Sequence, residues 1–364
     1  MNVLVYFGHP AQYHFFKHTA RQLIQDGNQV RILIKTKDIL EELLKEDGWS
    51  YENIQTKNRK SSKWSILSAS FNRTRKVIRI ARRFRADILI GTDSSVAQAA
   101  WFLRKPSITT LEDDVEVIYN LAKLTYPFTK SILVPSPCRV GKWEKKKVPY
   151  YGYMKLAYLH PNRFTPDISV VRKYDISCNY ILIRLAKLSA HHDVGVKGLN
   201  DDLVRTIIHL AQEKGLAVYI SSESDLDESL IPYRLIINHL DIHHILAFAT
   251  LLISDSQSMS VEAAMLGVPS IRFSDFAGRI SVLEELEQSY GLSFGMKTTE
   301  TALLEEKARE LLSLLDIHSE FMERRGKMLN DKIDVTAFLV WFIENYPKSH
   351  QIIQDNPDYQ LRFR

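Results

Sequence analysis

Cysteine is almost absent from this 364-residue chain. Cys138 and Cys178 stand far apart without a partner motif, so neither a disulfide framework nor a zinc site is implied, and a reducing compartment fits. Long apolar runs are missing too. The best stretches, 245–253 and 335–343, fall well short of the ~20 residues that span a bilayer. The amino terminus has no basic leader, and Val3-Leu4-Val5-Tyr6-Phe7 is broken at once by Gly8-His9-Pro10, so no targeting segment is expected. The expected location is the cytoplasm, with peripheral attachment to the inner face of the cell membrane left open by the charge pattern. There is no internal repeat and no low-complexity tract.

Acidic residues are missing from one long segment. Between Glu52 and Asp87 there is none, while eleven basic residues occur: Lys57, Arg59, Lys60, Lys63, Arg73, Arg75, Lys76, Arg79, Arg82, Arg83 and Arg85. Removing these eleven from the 48 basic residues leaves 37 against 43 acidic, so the whole net charge of +5 resides in this segment. Within it, Val77, Ile80, Ala81 and Phe84 recur at helical spacing, which predicts an amphipathic helix over 63–85 whose apolar stripe packs on the first domain. Its basic face would be solvated, or would meet an anionic substrate or anionic lipid head groups through 57–85 at ~1 kcal/mol per basic residue near a charged membrane. Nucleic acid is not expected as a partner, because no binding module or interleaved aromatic platform accompanies the charge.

What is present points to an α/β protein. The length predicts two domains, and 45% hydrophobic content with 14 Gly and 12 Pro is that of a soluble globular chain. Strands are predicted at 2–7, 29–34, 87–91, 107–111 and 131–134, with a helix over 13–25 stopped by Asp26-Gly27; short buried strands alternating with helices argue for a parallel, doubly wound sheet. From 135 to 166 the periodicity breaks into Pro, Gly, Tyr and Lys, a linker signature. A second series follows, with strands at 179–184 and 216–221, a helix over 199–214, and a helix to 248 capped by Asp241. After 271 the chain reads as largely helical, over 302–315, 319–329 and 335–346. This divides the chain into a first Rossmann-like domain (1–150), a linker (151–170), a second Rossmann-like domain (171–333) and a terminal helical segment (334–364) expected to return to the first domain.

The most informative stretch runs from Leu251-Leu252-Ile253 through Ser254-Asp255-Ser256-Gln257-Ser258 to Glu262-Ala263-Ala264 and Leu266-Gly267-Val268-Pro269. It reads as strand, polar turn, helix, strand. The turn therefore lies at the carboxyl end of a parallel strand, where open α/β sheets bind ligands and where a helix N-terminus suits a phosphate. Glu262, a turn and a half into the helix, is placed to accept hydrogen bonds from vicinal hydroxyls such as those of a ribose. The alternative is a capping Ser256 or Ser258 with a solvated Glu262.

The spacing of Asp255-Ser256, Glu262-Ala263 and Leu266-Gly267-x-Pro269 resembles the nucleotide-sugar motif in the second domain of GT-B-fold proteins, above all the non-hydrolysing UDP-N-acetylglucosamine 2-epimerases. The resemblance implies two Rossmann-like domains with parallel sheets facing across a cleft. It makes Ser256, Gln257 and Ser258 diphosphate candidates and Glu262 the ribose candidate. Gln257-Ser258 stands where those epimerases carry Gly-Gly, which narrows close backbone approach. In the first domain, Gly91-Thr92-Asp93 and Leu111-Glu112-Asp113 resemble two strand-end carboxylate turns of the same epimerases, making Asp93 and Glu112 acid–base candidates. The third carboxylate of that family has no counterpart here.

The first loop, Gly8-His9-Pro10-Ala11-Gln12-Tyr13-His14, lacks the spacing of a G-x-G-x-x-G fingerprint. His9 or His14 would lie at a strand end as a general base on an acceptor hydroxyl, or would serve as a cap. The run His9-Pro10-Ala11 through His14-Phe15-Phe16-Lys17, with Ser189-Ala190-His191-His192-Asp193 and Arg272-Phe273-Ser274-Asp275-Phe276, resembles a family of GT-B type, domain of unknown function 354. Arg184, ending a strand, is a candidate clamp for a diphosphate, and His191 or His192 for the sugar or the leaving phosphate. Adjacent histidines point differently and no third ligand is spaced for a metal, so none is expected. Asp225-Leu226-Asp227 reads as a surface loop.

These readings converge on a metal-independent glycosyltransferase that takes a nucleotide-diphosphate sugar, UDP-linked by resemblance, to a carbohydrate or lipid-linked acceptor in cell-surface polysaccharide or glycolipid synthesis, with no cofactor. The alternatives are a 2-epimerase-like isomerase and a non-catalytic protein that binds a nucleotide sugar or glycan.

Overall fold

A computed structural model of the chain describes residues 1–37, 39–55, 63–186 and 198–364, with the backbone alone over 63–69. It divides into two compact units, one formed by 1–163 with 332–364 and the other by 164–331.

The first unit is built on a parallel sheet of seven strands: β1 (Asn2–Phe7), β2 (Gln29–Lys35), β3 (Tyr51–Gln55), β4 (Ile88–Gly91), β5 (Ser107–Thr110), β6 (Ser131–Pro135) and β7 (Lys147–Tyr150). They lie in the order β3-β2-β1-β4-β5-β6-β7. Helices α1 (Pro10–Gln25), α2 (Leu40–Glu46), α3 (Lys63–Phe84), α4 (Ser94–Leu103), α5 (Tyr119–Thr125) and α6 (Leu156–Leu159) connect or follow the strands. Val3, Leu4, Val5, Leu89, Ile90, Ile132 and Val134 are wholly buried. Such continuous apolar strands are what a sheet covered on both faces requires, each Val, Leu or Ile contributing roughly 1.5–3 kcal/mol.

In the second unit, after α7 (Ile168–Lys173), come β8 (Tyr180–Leu185), α8 (Asp201–Glu213), β9 (Ala217–Ser222), α9 (Ile242–Ala247), β10 (Leu251–Ser254), α10 (Gln257–Leu266), β11 (Ser270–Phe273), α11 (Ser281–Gln288), β12 (Ser293–Met296), α12 (Thr301–Leu311) and α13 (Ile317–Asp331). Its parallel sheet has the order β12-β11-β10-β8-β9. The chain then re-enters the first unit as α14 (Val335–Glu344) and α15 (Lys348–Asp355), where Tyr346 and His350 bond the Ser131 hydroxyl at 3.1 and 2.9 Å. Asp334 caps α14 through the Ala337 N–H at 3.0 Å and pairs with Arg163 at 2.8 Å.

Four local readings change. The segment 135–166 is not patternless, because β7 and α6 lie in it; β7 is an edge strand carrying Pro149, a residue that hides a strand in sequence but is tolerated at an edge. The region after 271 contains the edge strand β12, only four residues long and interrupted by Gly295, whose missing side chain leaves room for Arg272: a Cβ there would sit 2.4 Å from Arg272 Nη2. Asp241 makes no side-chain cap for α9; its carboxylate instead accepts from Tyr174 at 2.6 Å and pairs with Lys173. Arg73, counted with the basic face of α3, is buried, because it stands four residues before Val77 on the stripe that Val77, Ile80 and Ala81 turn into the core.

Helix α10 ends in Gly267 at φ +75°, and a Cβ there would lie 2.7 Å from Met322 Sδ and 3.0 Å from Arg325 Cδ. Left-handed backbone and crowding act together, so Gly267→Ala is expected to lose about 1–3 kcal/mol in urea denaturation. Gly278→Ala, also left-handed but open around its Cβ, is expected to lose about 1 kcal/mol.

Candidate functional site

Both sheets reverse their strand order once, and ligands of open α/β sheets bind at that reversal, beyond the carboxyl strand ends. In the first unit it falls between β1 and β4, in the second between β8 and β10. The turns singled out in sequence, Gly8-His9, Thr92-Asp93 and Ser254-Asp255-Ser256, follow three of these four strands.

At the β8/β10 reversal, Ser256 is the cap of α10, its Oγ accepting weakly from the Met259 N–H at 3.4 Å, while Ser254 Oγ accepts from the Ser256 N–H at 2.8 Å. The N–H groups of Gln257 and Ser258 precede any intrahelical acceptor and point along the positive end of the helix. The Gln257 side chain is drawn onto β11, where its Oε1 accepts from the fully buried Arg272 at 3.0 Å. Ser258 is half-buried on the first turn. One turn further along the helix, Glu262 lies 3.4 Å from His243 Nε2 of α9, with side chains 14% and 6% exposed. Glu262 is therefore not a solvated residue, and His243 is a partner that sequence reasoning missed.

Asp255 is the organiser of this end of the sheet. It is 4% exposed, Oδ1 accepts from the Ala186 N–H at 2.7 Å, and the Leu199 N–H also bonds it. These two residues flank the segment 187–197. Gly198 must be glycine for the approach, since a Cβ would lie 2.5 Å from Asp255 Oδ2. Burial pushes the Asp255 carboxyl up to about 6, against the pull of the Ala186 and Leu199 N–H groups and the Arg184 charge. Arg184 bonds Ser221 Oγ at 2.7 Å and pairs with Glu223, so its fork is already engaged at the β8 and β9 ends. His191 and His192 lie outside the described residues. Asp227 accepts from Ser229 and Arg205 on the surface. Among the described residues no group of three or more His, Cys, Asp or Glu is arranged to hold a metal ion.

At the β1/β4 reversal, His9 caps α1, its Nδ1 accepting from the Ala11 N–H at 3.2 Å. Gln12, unremarked in sequence, bridges the two strand ends: its Oε1 accepts from the Gly8 N–H at 2.6 Å and its Nε2 donates to Thr92. Asp93 caps α4 through the N–H and hydroxyl of Ser95 at 2.9 and 2.7 Å, with Arg73 3.6 Å away. Burial would raise its pKa, but Arg73, Lys35 and Ser95 outweigh that, so the carboxyl stays below the ordinary range. Glu112, beyond β5, accepts from the Met154 N–H at 2.7 Å and pairs with the buried Lys155. His14, half-buried on α1, meets the Tyr13 ring edge-on and the Tyr158 ring at a tilt, with centroids 5.0 and 5.2 Å away. The three residues proposed for acid–base work therefore have three separate settings. Lys155 and Arg73 are the partners that the sequence did not announce.

Two outcomes test these electrostatics. An acid whose folded pKa is raised contributes stability below its ordinary value of 3.8 and loses it as pH rises through about 6. The stability difference between wild type and Asp255→Asn is expected to fall on the order of 3 kcal/mol between pH 3.5 and pH 7 by chemical denaturation; a flat difference would refute the burial effect. For the Arg73–Asp93 pair, Asp93→Asn strands a buried guanidinium and removes a carboxylate whose stabilisation exists above pH ~4 and disappears as pH falls. A loss of about 2–4 kcal/mol at pH 7 is expected, shrinking on acidification.

No protein-family model matches the chain and no curated protein matches it in sequence, so the resemblance to the domain of unknown function 354 family gains no support there. Solved structures do match it in fold. The co-structure of S. aureus MnaA with UDP superposes with a TM-score of 0.68 at 11% identity, over 96% of either chain. The UDP-GlcNAc 2-epimerase of Neisseria meningitidis bound to UDP-GlcNAc gives 0.67 at 13%, over 88% of this chain and 94% of that one. MurG of Acinetobacter baumannii gives 0.59 at 16%, over 94% and 99%. At such identities the likeness establishes the fold, which is GT-B-like α/β with two parallel sheets.

Proposed function

We propose that the protein is an enzyme of nucleotide-sugar chemistry, a glycosyltransferase that moves a sugar from a nucleoside-diphosphate donor to a carbohydrate or lipid-linked acceptor of the cell surface. The observation that carries the reading is the start of α10 at the β8/β10 reversal, with Glu262 one turn on. The Gln257 and Ser258 N–H groups and the Ser256 and Ser258 hydroxyls would hold the diphosphate and stabilise it as it departs, without a metal. Glu262, oriented by His243, would take the ribose hydroxyls. The solved structures of like fold that hold UDP or UDP-GlcNAc support a uridine donor.

In the first unit we assign the acceptor's proton to His14, with Asp93 and Glu112 as positioning residues for α4 and for the Met154-Lys155 turn. Basic segment 57–85 would keep the enzyme at the membrane that carries a lipid-linked acceptor. Isomerisation of the 2-epimerase kind is the second reading, favoured by the fold likeness to the Neisseria enzyme. It requires carboxylates that exchange protons, whereas Arg73, Lys35 and Ser95 hold the Asp93 carboxyl below the ordinary range despite its burial, which supports transfer. A protein that only binds a nucleotide sugar or glycan is the remaining reading.

A thermal-shift screen against UDP, TDP, GDP, CMP and their sugar conjugates tests the donor site. A ligand at about a hundred times its Kd adds ~2.7 kcal/mol, a shift of several degrees. The expected result is a shift with UDP that Glu262→Ala abolishes and His243→Ala weakens. No shift with any nucleotide would overturn the donor assignment. Incubating the donor alone then separates the reactions: a new UDP-sugar without acceptor means isomerisation, whereas transfer yields UDP only when an acceptor is supplied.

A further inference from the structure

Helices α3, α4 and α5 lie side by side against the first sheet, α3 meeting α4 through Thr74 and Gln98, and Gln98 bonding the Leu124 carbonyl of α5 at 3.2 Å. Three features of this surface coincide. None of the three helices contains an Asp or a Glu. Their outer side exposes large apolar side chains: Phe71 at 64%, Trp101 at 61%, Phe102 at 58%, and Tyr119 and Leu124 at 55% each. Arg75, Arg79 and Arg82 stand at helical spacing on the exposed side of α3, and none of them pairs with a carboxylate among the described residues, whereas Arg83 at the border is held by Glu52.

Charge and ring are interleaved rather than segregated. The Arg75 guanidinium lies over Phe71 at 5.8 Å, Arg82 over Phe102 at 5.7 Å, and Lys123 over Tyr119 at 5.2 Å. Exposed Arg104 and Lys105 close the end of α4. Large exposed apolar side chains gathered on one face mark an interaction site. A protein groove would favour a dry apolar centre with charges at its rim. Aromatic side chains alternating with cations match instead the boundary between acyl chains and anionic head groups, where Trp and Tyr sit at head-group depth and each cation meets a phosphate.

We propose that the face formed by α3, α4 and α5 docks the protein on an anionic lipid bilayer, with Trp101, Phe102 and Phe71 entering the interface and Arg75, Arg79 and Arg82 bound to lipid phosphates. This deepens the membrane element of the preceding reading by naming the face and the lipid class, and it does not depend on the donor chemistry. In solution the cations rest on the rings; at the bilayer they move to phosphates and release the rings to the acyl boundary.

Co-sedimentation with vesicles tests it, using phosphatidylcholine alone and phosphatidylcholine with about a third phosphatidylglycerol. The expected result is binding to the anionic vesicles only, weakened by raised salt, with quenching of Trp fluorescence by brominated lipid that is lost in Trp101→Ala. Trp101→Ala with Phe102→Ala, and separately Arg75→Glu with Arg79→Glu, should each weaken partitioning at least tenfold. All four positions are exposed, and unchanged circular dichroism and nucleotide-induced thermal shift confirm folded variants. Equal binding to neutral vesicles, binding to neither, or undiminished binding by folded variants would overturn the proposal. A negative result here with an intact UDP shift would leave the donor site standing.

Discussion

Every strand pairing within the two sheets is parallel, and the geometry of this protein follows from that constraint. A parallel strand cannot be reached by a tight turn, so helices must cross over each sheet, and crossovers of one hand place their helices on opposite faces when the strand order reverses. At the reversal the two loops leave in opposite directions and part from one another. The gap they leave is floored by strand ends and lined by helix N-termini. Both units obey this rule, and the polar turns Gly8-His9, Thr92-Asp93 and Ser254-Asp255-Ser256 all open on such gaps.

A helix N-terminus must satisfy its first N–H groups, and this need competes with function for the same side chains. His9, Asp93 and Ser256 are each consumed as caps. Capping holds each of these side chains in one place at a strand end. In the second unit the competition is resolved by division of labour. Ser256 caps, Asp255 ties down Ala186 and Leu199, and Gln257 turns aside to satisfy Arg272.

Charge is handled differently on the two sides of α3. Arg73 goes inward and is acceptable there because Asp93 and Gln55 receive it, at 3.6 and 2.9 Å. Its neighbours two and six positions on go outward into a face with no acid at all. The same residue type thus stabilises a strand end in one place and builds an electrostatic surface in the other. Position on the 3.6-residue period decides which.

The sequence by itself determined the fold class, because continuous apolar strands separated by helices admit only a covered parallel sheet, and it located the strand-end turns, because Gly, Ser, Asp and Pro interrupt those runs. It also disclosed the basic segment, since charge is a property of composition. Short edge strands such as β7 and β12 were illegible: four residues with a Pro or a Gly carry too little periodicity, and only pairing with a neighbour makes them strands. Pairwise contacts between distant positions were equally hidden, as with Lys155 on Glu112, His243 on Glu262 and Gln12 on Thr92. Tertiary structure alone decided those, and it alone set Trp101 and Phe102 beside the arginines of α3, because which helices become neighbours depends on strand order, a long-range outcome that no local pattern encodes.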